Sequence, residues 1–217
     1  MISNICYAIV FVIESIVSII YFNNKFKTKF KPIFYLPIIA VSSTLSFLVS
    51  LIGIPIINLF AFFIINFTIL RLFYETNVKS SLFHTTLLVA FMVVTEIIVF
   101  YFSSAVLHID LDACFDNQAV LITQAAISKL LYFIIVYLST KLVAKEKETD
   151  KTTSTVFLGI LPFSSIVFMH VSIYFCIIYN ASNVMEFSLV FCNLLSLLAN
   201  IVVFYVHENT IKTNKKY

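Results

Sequence analysis

Residues 5–31 read ICYAIVFVIESIVSIIYFNNKFKTKFK: eighteen residues with a single charge, Glu14, and then nine residues that carry four lysines. As a helix rising about 1.5 Å per residue, the first part crosses most of the roughly 30 Å hydrocarbon core of a bilayer. The lysines follow the apolar run and none precedes it. Short cytoplasmic loops retain Lys and Arg, so this order places the N-terminus outside. A cleaved signal peptide has the reverse order, a basic start and then a small-residue cleavage site, so the run is read as a retained helix.

The rest of the chain repeats the pattern. Further apolar runs lie at about 33–52, 55–73, 82–106, 118–140, 156–178 and 184–206. Of the 14 Lys and Arg residues, all but Lys129 fall in every second gap, at its border in the case of Arg71, or after the last run. The intervening gaps are short or acidic: the turn Gly53-Ile54-Pro55, the loop from His108 to Asn117 with Asp110, Asp112 and Asp116, and the stretch Tyr179 to Asn183. Gly permits the first of these turns, and Pro starts the next helix at little cost. The inner loop Lys141 to Thr155 is the longest polar stretch, and the segment 207–217 reads as a cytoplasmic tail.

The fold class is therefore all-α, a polytopic transmembrane bundle of seven spans with the N-terminus outside and the C-terminus cytoplasmic. Six spans remain possible if one run, with the short third the weakest, is a re-entrant segment. Strands of a membrane barrel alternate over about 10 residues, whereas these runs are continuously apolar. Composition agrees, with 61% hydrophobic residues, 12% charged and a mean hydropathy of +1.03 over 217 residues. The net charge of +3 is spread over inner loops, where it suits anionic headgroups and not nucleic acid. The expected site is the plasma membrane of a bacterial cell.

Ionisable groups at membrane depth cost about 2.5–3.5 kcal/mol each on insertion scales, so each one needs a partner or a purpose. Glu96 and Lys129 lie at equal depth in adjacent antiparallel runs, which predicts an ion pair that either staples the packing or rearranges in function. Glu14 shares a helix face with Tyr7, Ser18 and Tyr21, and that face is expected to point inward. Glu186, Asn193, Asn200 and His207 recur every seven residues with Ser196 between them, a polar stripe suited to hydrogen bonds across helices or to a moving helix. His170 is read as a buried packing residue or a ligand group. Pro162 is expected to kink the sixth run, and Pro37 the second at most.

Nothing in the sequence supplies catalytic or metal chemistry. Cys6, Cys114, Cys176 and Cys192 form no paired motif, and all map to the outer half of the bundle. They are expected mainly as free apolar thiols, with Cys114 to Cys6 or Cys176 as the topologically allowed disulfides. The two glycines, Gly53 and Gly159, provide no phosphate-binding loop. No enzyme, cofactor or metal is expected.

Four segments carry a resemblance: Ile5 to Phe22, Leu51 to Phe67 (LIGIPIINLFAFFIINF), Lys79 to Ile97 (KSSLFHTTLLVAFMVVTEI) and Gln124 to Leu142 (QAAISKLLYFIIVYLSTKL). They resemble the membrane sensor regions of accessory-gene-regulator-type quorum-sensing histidine kinases, whose ATPase is of the gyrase, Hsp90, kinase and MutL type. The resemblance implies a six- or seven-span receptor that binds a secreted peptide outside and relays the event to a dimeric kinase. The chain departs from that family after His207, where a signalling helix, phosphoacceptor histidine and ATPase would follow. A homodimer or a separate kinase partner is then expected. Asp110, Asp112, Asp116 and Glu186 are the candidate ligand-facing residues, suited to a cationic or amine group. The competing expectation is a small-molecule carrier, such as the substrate-binding subunit of an uptake transporter.

Overall fold

The computed structural model describes residues 2–107, 118–141, 162–169, 171–172 and 183–214. These residues form α1 (Ile2–Lys25), a 3-10 turn at Pro32–Phe34, α2 (Tyr35–Ser50), α3 (Pro55–Phe73), α4 (Val78–Leu107), α5 (Gln118–Lys141) and α6 (Asn183–Asn214). Residues 162–169 and 171–172 are also helical. Among the described residues there is no strand, only an isolated bridge between Thr28 and Tyr74. Six of the helices contain apolar stretches long enough to cross a bilayer. The third run, the weakest on sequence, is a complete helix of 19 residues.

The bundle is built inside out relative to a water-soluble one. On α2 the buried residues are Ile38, Ser42, Ser43 and Ser46, while Leu36, Val41 and Leu48 are 79%, 59% and 54% exposed. On α6, Asn193 and Asn200 are fully buried while Phe187 and Leu198 lie outward. In water this arrangement would leave large apolar side chains unburied at about 25 cal/mol per Å². In lipid the outward leucines cost nothing, and small hydroxyl residues let helices approach closely. Two of the buried serines of α2 are satisfied within their own helix: Ser42 Oγ donates to the Ile39 carbonyl at 3.1 Å and Ser43 Oγ to the same carbonyl at 2.7 Å.

Consecutive helices pack as α1–α2, α2–α3, α3–α4 and α4–α5, and α5 returns to α1, so five helices close a ring. α6 packs on α4. α4 thus has neighbours on both flanks and a sixth helix against it, and 78% of its apolar stretch is buried against 22–39% for the others. Its sequence suits that position, being apolar all round with hydroxyls that bond back to the preceding turn, as Thr95 does to the Met92 carbonyl at 2.8 Å. Leu87, Leu88, Phe91 and Val94 of α4 meet Tyr21 and Phe22 of α1, Leu70 of α3, Tyr132 of α5 and Phe204 of α6 in one core.

The two ends of the bundle differ. At one end the first two basic loops are joined: Lys29 N–H donates to the Phe73 carbonyl at 3.0 Å and Glu75 N–H to Lys27 at 2.9 Å. Lys27 pairs with Glu75 at 3.3 Å, and Tyr74 Oη donates to Asn23 at 2.9 Å. Burial, with Tyr35 nearby, pushes the Tyr74 phenol well up, so it stays neutral. Asn77 caps α4 here, accepting the Ser80 N–H at 2.7 Å. Lys25 lies over Phe204 at 5.5 Å, which brings the C-terminal part of α6 to this lysine end. At the opposite end Gly53 turns α2 into α3 with φ +74°, a conformation that favours glycine, and Pro55 occupies the first turn of α3.

α5 finishes at the lysine end, whereas α6 begins at the Gly53 end. Between them in sequence, residues 162–169 are helical, with Ile166 and Met169 in the core. Pro37 sits in the first turn of α2, where proline is tolerated best. Within the segment read as a tail, residues 207–214 continue α6 as helix. The residues before Pro162 lie outside the described part, and with them the expected kink.

Candidate functional site

Each helix of the ring contributes one face to a central cavity. α1 supplies Tyr7, Val10, Phe11 and Glu14, and α3 supplies Pro55, Asn58, Leu59 and Phe62. Both sets step by three and four residues, the spacing of a single helix face. α4 adds Met92, Val93, Glu96, Ile97 and Phe100; α5 adds Leu121, Gln124, Ala125, Ser128 and Lys129; α2 adds Ser46. The volume is about 590 Å³ and the wall is mainly apolar. That volume lies within the roughly 300–1,000 Å³ usual for small-molecule sites. Measured along α3 from Pro55 to Phe62, the cavity runs about 11 Å inward from the Gly53 end.

Three charged side chains meet on its wall. Lys129 Nζ lies 2.6 Å from Glu14 Oε1 and also contacts Glu96 Oε1. Lys129 and Glu14 are almost wholly buried, their side chains 3% and 7% exposed, whereas the Glu96 side chain is 45% exposed. Tyr132 is buried close enough to interact electrostatically with both carboxylates. The triad joins α1, α4 and α5. With ordinary charges it sums to −1, because two carboxylates share one ammonium.

The equal depth of Glu96 and Lys129 was legible from residue counts, and the structure places them in contact. Glu14 as a second partner for Lys129 was not anticipated. Its inward face was, and Ser18 and Tyr21 on that face are fully buried. Only the closure of α5 onto α1 brings Glu14 to Lys129. Asn193 and Asn200 are fully buried on α6, and neither amide has a hydrogen-bond partner among the described residues. Among the described residues Cys6 and Cys192 form no disulfide. Asp110, Asp112, Asp116, His170, Cys114, Cys176 and the side chains of Glu186 and His207 lie outside the described residues.

Sequence reasoning passed over His84. It is fully buried near the lysine end, where Tyr21 Oη and His84 Nδ1 are 2.5 Å apart and Phe26, Phe83 and Phe204 pack edge-on to the ring. A histidine near the start of an apolar run reads as interfacial, and nothing local signals that α1 and α6 will enclose it. Asn58 is a second omission: its Oδ1 is buried on the cavity wall without a hydrogen-bond partner among the described residues.

The fold and this site define a multi-pass α-helical membrane protein with an internal, charged cavity. No protein-family model matches the chain, and no curated protein or solved structure matches it significantly.

Proposed function

We propose that the chain is a membrane sensor module that recognises an extracellular signal without performing chemistry on it. The observation that supports this most is the cavity reaching the Glu14–Lys129–Glu96 triad from the end opposite the basic loops. With those loops on the cytoplasmic side, as the positive-inside rule requires, the cavity faces outward. A signal seated there bears on α4 through Glu96, and α4 carries α6 on its other side. α6 continues unbroken to Asn214, about 48 Å of helix from Asn183, long enough to carry a displacement past the membrane surface. The resemblance to quorum-sensing kinase input regions points the same way, to a secreted peptide as signal and to a homodimer or kinase as the cytoplasmic partner.

The test uses purified protein in nanodiscs and peptide fractions from the spent medium of the producing cells. Spin labels at Lys79→Cys and Thr213→Cys report the α4-to-α6 distance at the lysine end. A signal-dependent distance change that disappears on filling the cavity with Ala125→Phe is the expected result. Binding with no such change, together with uptake of the bound compound into proteoliposomes, would replace the sensor by the carrier reading.

A further inference from the structure

We infer that the cavity selects an amphipathic organic cation, an apolar body bearing one protonated amine, and that Glu96 receives the amine. The inference deepens the proposed function and rests on the cavity being the signal site. Three observations carry it. First, the charges are unequal: Lys129 is shared between Glu14 and Glu96, and among the described residues no other Lys, Arg or His lines the cavity. Second, the surplus lies at Glu96. Glu14 is enclosed with Lys129, while nearly half of the Glu96 side chain is exposed, and its helix is covered by α3, α5 and α6, so that exposure is toward the cavity. Third, Asn58 Oδ1 on the neighbouring helix α3 is a buried acceptor without a donor among the described residues. An ammonium brings up to three donors and a charge, where Glu96 shares its one cation with Glu14 and Asn58 Oδ1 accepts no hydrogen bond from the described residues.

The remaining wall is apolar: Val10, Phe11, Leu59, Phe62, Val93 and Ile97. An apolar body buries surface there, whereas a bare metal cation would find too few oxygen ligands and a ligand carboxylate would meet Glu96. The N-terminal amine of an apolar peptide belongs to this class, and so does a long-chain amine.

The experiment measures binding of octylammonium, octan-1-ol and octanoate to the protein in phosphatidylcholine nanodiscs, by competition with a fluorescent alkylamine and by thermal shift. The expected result is octylammonium bound at least ten-fold more tightly than octan-1-ol, with octanoate weakest. In Glu96→Gln the ammonium preference should vanish while octan-1-ol binding is unchanged. This variant keeps the fold, because Glu14 still neutralises Lys129. Equal binding of ammonium and alcohol, both abolished by Ala125→Phe, overturns the cation inference and leaves the cavity as a signal site. An ammonium preference that survives Glu96→Gln overturns the role of Glu96. Absence of saturable binding by all three, with Ala125→Phe indistinguishable from the native protein, removes both the inference and the reading beneath it. The comparison of three probes on the native protein stands even if a variant fails to fold.

Discussion

Replacing Lys129 by methionine tests the triad directly. Methionine fills a similar volume, so the change isolates charge. It leaves Glu14, 7% exposed, and Glu96 side by side with no cation between them. Removing one partner of a buried ion pair costs about 3–5 kcal/mol in proteins. Glu14 should experience most of that, while partial exposure screens the contribution of Glu96. The expected loss is therefore about 3 kcal/mol, roughly two orders of magnitude in the folded-to-unfolded ratio. The assay is reversible unfolding in mixed micelles of rising dodecyl sulfate fraction, followed by circular dichroism, since the chain has no Trp. Glu14→Gln should cost about 1–3 kcal/mol and Glu96→Gln less than about 1 kcal/mol. Combining Lys129→Met with both glutamine changes removes every charge, and stability should return to within about 1 kcal/mol of the native value. A single Lys129→Met variant as stable as the native protein would refute the reasoning, as would a triple variant no better than the single.

Other perturbations have distinct expected outcomes. Asn193→Leu and Asn200→Leu each remove a buried amide that finds no partner, so each should be neutral or stabilising by about 1 kcal/mol in thermal unfolding; a loss above 2 kcal/mol would show that the amides do pair. Tyr21→Phe deletes the 2.5 Å contact with His84 and should cost about 1–2 kcal/mol in the same measurement, with no change contradicting that bond. At Gly53 a Cβ would meet nothing within 4 Å, so Gly53→Ala should cost only the positive-φ strain, about 1 kcal/mol, and a larger loss would point to a steric clash instead. In a cysteine-free background, Ile52→Cys should react with an impermeant maleimide on intact cells and Lys27→Cys should not; the reverse pattern would invert the topology.

Much of the fold could be read from residue order. Runs of about 20 apolar residues define the spans, lysines in alternate gaps define two unlike ends, and Gly53 with Pro55 marks the sharpest turn, because each depends only on local chemistry and on what solvent a segment tolerates. Depth is likewise a linear quantity at about 1.5 Å per residue, which is why Glu96 and Lys129 could be matched in advance. Helix continuation was less legible: the apolar signal of the last run ends at Val206, yet α6 continues as helix to Asn214.

What stayed hidden concerns the two directions perpendicular to the helix axes. The apolar faces of α2, α3 and α5 are interchangeable to lipid, so composition does not say which helix lies beside which. Side-chain packing decides that, closing α5 onto α1 and enclosing a cavity that no single segment encodes. The same closure adds Glu14 to Lys129 and leaves Glu96 partly exposed on the cavity wall. Residue order determined a membrane bundle with charges at known depths, since hydrophobicity and helical rise act along the chain. Only tertiary packing decided which charges meet, since rotation and adjacency are set by contacts between segments distant in sequence.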